Sequence, residues 1–454
     1  MPIQSINPYN DELLKEYQEH SDQQIEQIIQ NTQQAFVNWK KKSIEDRSVL
    51  MQNAAEVLRN KINEYAKLIT LEMGKPIKEA TSEIEKCAMV CEYYATNASD
   101  FLADEPLPVD DGEAWRVYEP LGAVLAIMPW NFPFWQVFRF AAPNLMAGNV
   151  GLLKHASNVP QCAMAIEQVF LDAGFPTGTF QTFMVSSSKI NQILDHQLVK
   201  AATLTGSELA GSKVAERAGR NLKKTVLELG GSDAYIVVAD ADLDKAASTA
   251  VKGRMLNTGQ SCIAAKRFIL EERIAADFLE IYIDKLRQLK AGNPLDHQVD
   301  YGPMARKDLV EELTEQVNDS LQKGAILLHG TGIGDDEGRF FHPSILGKVK
   351  PGMAAYDQEL FGPVATFFTV ENEDEAIKLA NDSPFGLGGA LWCNDLDKAK
   401  KLARQIETGA VIINGMMASH PKTPFGGVKK SGYGRELSID GIKEFLNVKT
   451  IWIK

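Results

Sequence analysis

The chain has 454 residues, of which 44% are hydrophobic and 24% charged, with a formal net charge of −12. That length exceeds what one hydrophobic core organises, so two or three domains are expected, and the composition is that of an ordinary globular protein. The negative balance argues against nucleic acid or an anionic membrane as partner, since both call for a basic face.

The opening Met1-Pro2-Ile3-Gln4 has neither a basic stretch nor an apolar run, so no signal peptide is expected. The first hundred residues read as helices. Ile25, Ile28, Ile29, Thr32, Ala35 and Trp39 recur at helical spacing behind Ser21 as N-cap. A second helix is expected from near Ser43 to the stop Gly74-Lys75-Pro76, and a third from about Ile77 to Ala95. Leu107-Pro108-Val109, the turn Asp110-Asp111-Gly112 and Trp115-Arg116-Val117-Tyr118 then read as a β-hairpin. From residue 121 to about 400, short apolar strands alternate with helices; examples are 122–127, 150–153, 202–205, 225–229 and 234–238. That alternation predicts parallel sheets covered by helices. The most apolar stretch, Leu121 to Trp135, is too short to span a membrane and is broken by Pro129, Asn131 and Pro133. The final segment, Asn447 to Ile453, reads as a strand with few partners nearby in sequence. With the hairpin, it is β-material suited to pairing across a subunit interface.

The five cysteines, at 87, 91, 162, 262 and 393, are odd in number and form no CxxC pair. A disulfide framework or zinc ribbon is therefore not expected, and a reducing compartment, the cytoplasm, fits. Cys87 and Cys91 read as core residues on one helix face rather than metal ligands. Cys262 differs, because Asn257-Thr258-Gly259-Gln260-Ser261 surrounds it with small polar residues. A free thiol has a pKa of about 8.5, and the thiolate is the nucleophile, so catalysis near neutral pH needs that value lowered. The alternative is a buried structural thiol.

Three further segments look like strand ends followed by functional loops. Thr205-Gly206-Ser207-Glu208 joins a strand to a helix N-terminus, where free N–H groups suit a phosphate, but it is neither GxGxxG nor a P-loop. Glu228, in Val226-Leu227-Glu228-Leu229-Gly230-Gly231, is a carboxyl inside an apolar strand. It must be paired or have a raised pKa, and a raised pKa suits a general base. Asn131 is an amide among aromatics and prolines, placed to donate to an oxyanion. Arg139, on an apolar helix, needs an anion, which a protein carboxylate or a substrate carboxylate can supply.

Pro129-Trp130-Asn131-Phe132-Pro133, Leu152-Leu153-Lys154, Thr205-Gly206-Ser207, Leu227-Glu228-Leu229-Gly230-Gly231, the Cys262 loop, Glu359-Leu360-Phe361-Gly362-Pro363-Val364 and Pro424-Phe425-Gly426-Gly427 occur in that order. Each alone is a weak or moderate signal. Together, over almost the whole chain, they resemble the aldehyde dehydrogenase superfamily. The resemblance implies an α/β, aldehyde-dehydrogenase-like fold with two open α/β domains and a small β oligomerisation extension. Residues 1–104 and 121–229 would form the cofactor-binding domain and 230–433 the catalytic domain. Residues 105–120 and 434–454 would supply the oligomerisation hairpin and terminal strand of a homodimer or homotetramer.

The resemblance also implies roles. Cys262 matches the nucleophile, Glu228 the base for deacylation and Asn131 the oxyanion amide. Trp130, Lys154, Gly206, Ser207, Glu359 and Phe361 match cofactor-binding positions, and no metal is implied. Many NAD-specific members carry a glutamate three residues after the lysine; here that residue is Ser157. A carboxylate would repel a 2′-phosphate and a serine can bond it, so NADP is expected to be accepted, in preference to NAD. His155, where a proline is usual, is expected to pack. The short N-terminus, with Lys154-His155-Ala156-Ser157 and Phe134 to Arg139, resembles the short bacterial succinate-semialdehyde dehydrogenases. In that reading Arg139 binds the substrate's distal carboxylate, helped by Ser419, and Trp135 packs on the chain. A general short-chain aliphatic aldehyde dehydrogenase is the alternative. A CoA-acylating relative or a non-catalytic one is disfavoured, because Glu228, Cys262 and Asn131 are all present.

Overall fold

The computed structural model describes residues 2–332 and 338–454. Two open sheets dominate it. The first has six strands, in the order Gly432–Tyr433, Lys224–Glu228, Val199–Thr205, Ala123–Met128, Val150–His155 and Phe180–Thr182. All neighbours are parallel except the short Gly432–Tyr433 strand. The chain enters at Ala123–Met128, moves outward through the next two strands, then returns to lay Val199–Thr205 on the other side. This reversal opens a crevice at the carboxyl ends of the two middle strands, where open α/β sheets take ligands. The segments leaving those ends are Pro129-Trp130-Asn131 and Gly206-Ser207.

The second sheet has seven strands, in the order Ile326–His329, Ser344–Gly347, Val364–Val370, Ala265–Glu271, Asp233–Val237, Gly388–Trp392 and Ala410–Ile413. Only its edge pair, Ile326–His329 with Ser344–Gly347, is antiparallel. The short link 229–232 carries the chain from the first sheet directly into the second. All six residues of Ala123–Met128 and all five of Asp233–Val237 are buried, as expected of parallel strands covered on both faces. The expected strands are therefore all present.

The helix Asp22–Trp39 begins at Ser21 in a capping box with Gln24, as the sequence predicts. Two expectations need correction. Residues 3–17 are not helical: Ile3–Ile6 and Leu13–Tyr17 form an antiparallel hairpin. Ile3 and Ser5 are buried while Gln4 and Ile6 are exposed, a period of two over too few residues to stand out in sequence. The single helix expected from 43 to 74 is two, Ile44–Asn60 and Ile62–Met73, because Lys61 leaves helical geometry at φ −113° and ψ 21°. The following helix, Ile77–Phe101, runs past Ala95.

The hairpin Glu105–Leu107 with Glu113–Pro120 is present, and the terminal strand Leu446–Ile453 pairs antiparallel with Glu113–Pro120 of its own chain. The other edge of that terminal strand has no strand beside it among the described residues, and the strand is exposed beyond Leu446. Among the described residues, no helix is long and apolar enough to cross a membrane.

Candidate active site

One cavity of about 550 Å³ is lined by Trp130, Asn131, Gly206, Ser207, Cys262, Glu359 and Phe361 among others. Residues scattered over more than two hundred positions of sequence thus share one wall, because the carboxyl ends of the first sheet meet segments that lead into strands of the second. Phe361 meets Trp130 edge-on, with ring centroids 5.9 Å apart. Ser207 caps the helix Glu208–Arg220 by accepting from the Ala210 N–H, and the first turn of that helix borders the cavity. A helix N-terminus facing a cavity favours an anion.

The Asn131 turn is fixed from outside. The helix Trp135–Met146 has no side-chain cap of its own. Glu83 Oε1 accepts instead from the Phe134 and Trp135 N–H groups, at 2.9 and 3.0 Å. Glu83 is ion-paired with the fully buried Lys75, whose Nζ sits 3.7 Å from the centre of the Phe132 ring. The Asn131 amide donates through Nδ2 to Gln260 O at 3.1 Å. A side-chain amide carries two N–H bonds, so a second donor remains.

The Cys262 loop is held in a conformation that ordinary residues resist. Asn257, Thr258 and Gly259 have φ of 56°, 55° and 76°, and each non-glycine residue there costs about 1–2 kcal/mol. Tertiary contacts offset this. Asn257 N–H donates to Glu79 Oε2 at 2.8 Å, and Asn257 Nδ2 donates to Asn131 O at 2.8 Å and Gln260 O at 3.0 Å. Gln260 Oε1 accepts from Ala305 N–H, and Arg254 Nη2 donates to Gly259 O. Lys266, only 1% exposed, donates to the carbonyls of Ser261 and Cys262 at 2.9 and 2.8 Å and pairs with Glu359 at 3.0 Å. Cys262 is half-buried. Burial pushes its thiol up to about 12, while Arg139 and Lys266 pull it down.

Glu228 ends its strand at 2% exposure, with Oε1 buried and without a hydrogen-bond partner. Burial, then the neighbouring Glu436 carboxyl, raise its pKa well above the usual carboxylate range, and Arg139 and Arg435 oppose them. Leu229 and Gly230, the next residues, line the cavity. A Cβ on Gly426 would stand 2.8 Å from Glu228 Oε1, so the glycine makes room for the carboxyl.

Lys154 and Ser157 lie outside the lining of that cavity, at and just beyond the end of Val150–His155, one strand over from Asn131. Lys154 is 7% exposed and burial lowers its pKa, while Ser157 is exposed. His155 is buried, its Nε2 2.9 Å from Pro133 O and its Nδ1 accepting from the Ala156 N–H. Burial pushes it down to about 4, so it is a neutral packing residue. Trp135 and Ser419 come together, with Trp135 Nε1 donating to Ser419 Oγ at 3.0 Å.

Arg139, which the resemblance assigns to the substrate carboxylate, has a protein carboxylate beside it. It is 2% exposed, ion-paired with Glu436, stacked over Phe425 at 4.6 Å and 3.4 Å from Thr205 Oγ1. Of the two anions left open for it, the structure supplies the protein carboxylate, because a buried guanidinium needs a fixed counter-charge.

Sequence reasoning passed over Lys266, Arg254, Glu436 and Lys86. A lysine beside Arg267 at the head of the apolar run 268–270 was the one available signal; the others depend on distant partners. Cys87 and Cys91 are fully buried free thiols on one helix. Among the described residues, no cluster of three His, Cys, Asp or Glu side chains forms a metal site.

A half-buried thiol, an amide donor and a helix N-terminus around one cleft, with a buried carboxyl one residue from its wall, suit covalent chemistry on a carbonyl beside a phosphate-bearing cofactor. Its sequence matches the model of the aldehyde dehydrogenase family over residues 1–451, and the chain belongs to that family. It is 48% identical over 453 residues to the probable succinate-semialdehyde dehydrogenase [NADP(+)] of Synechocystis, and 47% identical over 456 residues to succinate-semialdehyde dehydrogenase [NADP(+)] 1 of Mycobacterium tuberculosis; both alignments cover 100% of each chain. Among solved structures, succinic semialdehyde dehydrogenase from Streptococcus pyogenes in complex with NADP+ superposes with a TM-score of 0.97, at 38% identity over 99% of each chain.

Proposed function

We propose that this protein oxidises succinate semialdehyde to succinate through a thioester on Cys262, with NADP as the preferred electron acceptor. The observation that carries the reading is the convergence of Cys262, Asn131, Trp130, Ser207, Glu359 and Phe361 on one cavity. Relatives named for this substrate and cofactor, similar over the full length, support it.

The residues present fit a dinucleotide. Gly230 lets backbone approach the cleft, since a Cβ there would stand 2.6 Å from Glu359 Oε2. Ser207 and its helix would hold the pyrophosphate, Lys154 the adenosine ribose and Glu359 the nicotinamide ribose, with Trp130 and Phe361 flanking. Ser157 is exposed and offers a hydroxyl, with no carboxylate, to a 2′-phosphate. The bound cofactor supplies the hydride acceptor.

In this reading the Cys262 thiol, held high by burial, first gives up its proton to water, and the thiolate Sγ attacks the aldehyde carbon. The second Asn131 N–H and the Cys262 backbone N–H hold the oxyanion, and one such donor is worth ~3–4 kcal/mol. After oxidation the thioester is hydrolysed by water that Glu228 deprotonates, releasing the acid and the thiolate. Glu228 must first ionise, and its raised pKa makes it a strong base once it has. The cofactor-binding domain would be 1–104 with 121–229 and the catalytic domain 230–433. The sheet formed by 105–120 and 434–454 would build a cytoplasmic homodimer or homotetramer.

Purified enzyme assayed with a panel of aldehydes and both cofactors tests this. Free succinate as product, with faster turnover on NADP than NAD, is expected. Product appearing only as an acyl-CoA, or normal turnover with NAD and none with NADP, would overturn it.

A further inference from the structure

We propose that Lys86 is the cation that grips the carboxylate of the aldehyde substrate, at a subsite built with Ser419 and Trp135. This rests on the carboxyl-bearing substrate proposed above and names the side chain that selects it.

Lys86 Nζ donates to Ser419 Oγ at 3.0 Å and lies 4.2 Å from the centre of the Trp135 ring. Trp135 Nε1 donates to the same Ser419 oxygen. Ser419 Oγ therefore accepts twice, and its own O–H is left as a donor. An ammonium has three N–H bonds, of which Lys86 uses one on Ser419. The cluster thus holds spare donors and no acceptor, and an anion completes it. A carboxylate, with two oxygens that accept only, matches Lys86 N–H and Ser419 O–H together.

The neighbouring charges are already committed. Arg139 is ion-paired with Glu436, and Glu83, one turn from Lys86 on the same helix, is paired with Lys75. Lys86 is in no ion pair among the described residues. Burial and then the Arg139 charge pull its ammonium down to about 8, a cost that an arriving anion would relieve.

The position suits a distal subsite. The helix Ile77–Phe101 touches the Cys262 loop through Glu79 and the start of the Trp135 helix through Glu83. Lys86 lies on the next turns. It also lines a cavity of about 840 Å³ with Phe132 and Glu79, the residue that holds Asn257 of the Cys262 loop.

The test compares succinate semialdehyde with butanal, an uncharged aldehyde of the same chain length, in wild type, Lys86→Met and Lys86→Arg. Lys86→Met should raise KM for succinate semialdehyde by ~10-fold or more and leave kcat/KM for butanal within about twofold. Lys86→Arg should keep the preference, and succinate should inhibit Lys86→Met more weakly than wild type. If Lys86→Met melts below the assay temperature, Lys86→Gln carries the same expectation. An equal loss on both aldehydes, or no change on either, would overturn the subsite alone. Wild-type enzyme that ignores succinate semialdehyde would overturn the substrate reading and this inference with it.

Discussion

The two sheets meet the cleft with opposite ends. The first offers the carboxyl ends of its strands, which carry Asn131, Gly206, Ser207 and Glu228. The second contributes segments that precede its strands, among them Cys262 before Ala265–Glu271 and Glu359 before Val364–Val370. On the first side, strand register and a helix start place each group, so position follows from regular structure. On the second, Cys262 follows three residues in left-handed backbone, and buried Lys266 and Arg254 with part-buried Glu79 hold that loop. Regular structure therefore presents Asn131 and Ser207, while a strained loop held by tertiary contacts presents the Cys262 thiol.

The contrast can be broken from either side. Cys262→Ala should abolish aldehyde oxidation, by at least ~10⁴-fold in kcat/KM, with the fold intact by circular dichroism. Glu228→Gln should slow steady-state turnover by ~10²–10⁴-fold while keeping a stoichiometric burst of reduced cofactor, because acylation does not need the base. Loss of that burst would place Glu228 in acylation instead.

Gly259→Ala tests the strained side. Its Cβ would stand 2.5 Å from backbone atoms of Gly362, at a φ of 76°. Activity should fall more than tenfold through displacement of the loop, whereas wild-type rates would show that the loop adapts. On the regular side, Ser157→Glu should leave kcat with NAD near wild type and weaken NADP by ~10-fold, since a carboxylate opposes a 2′-phosphate.

The smallest expected effect is a shift in pH profile. Burial and Glu436 raise the Glu228 pKa, so its base form grows as pH rises. Glu436→Gln removes one like charge and frees the Arg139 charge, and both changes favour ionised Glu228. The acidic limb of kcat should then move to lower pH. A shift to higher pH would mean that Glu436 acts on some other group.

Much of this was legible in the chain. The Ser21-capped helix, the buried strands and the hairpin follow from local periodicity and turn chemistry, which a window of a few residues contains. The motifs around Asn131, Glu228 and Cys262 pointed to nucleophile, base and oxyanion donor by residue type alone. The N-terminal hairpin and the break at Lys61 escaped because their signals are short and ambiguous. Long-range partners decided the rest. Whether Arg139 meets a protein or a substrate carboxylate was open in the sequence, and Glu436, almost three hundred residues later, supplies the protein one. Lys86 carried no signal in the sequence, because Ser419, which meets its ammonium, is 333 positions away. The sequence by itself determined which chemical groups exist and which elements carry them, because those depend on covalent structure and local backbone preference. Which charge is neutralised and which is left for a ligand was decided only by the tertiary structure, because electrostatic pairing depends on distance in space.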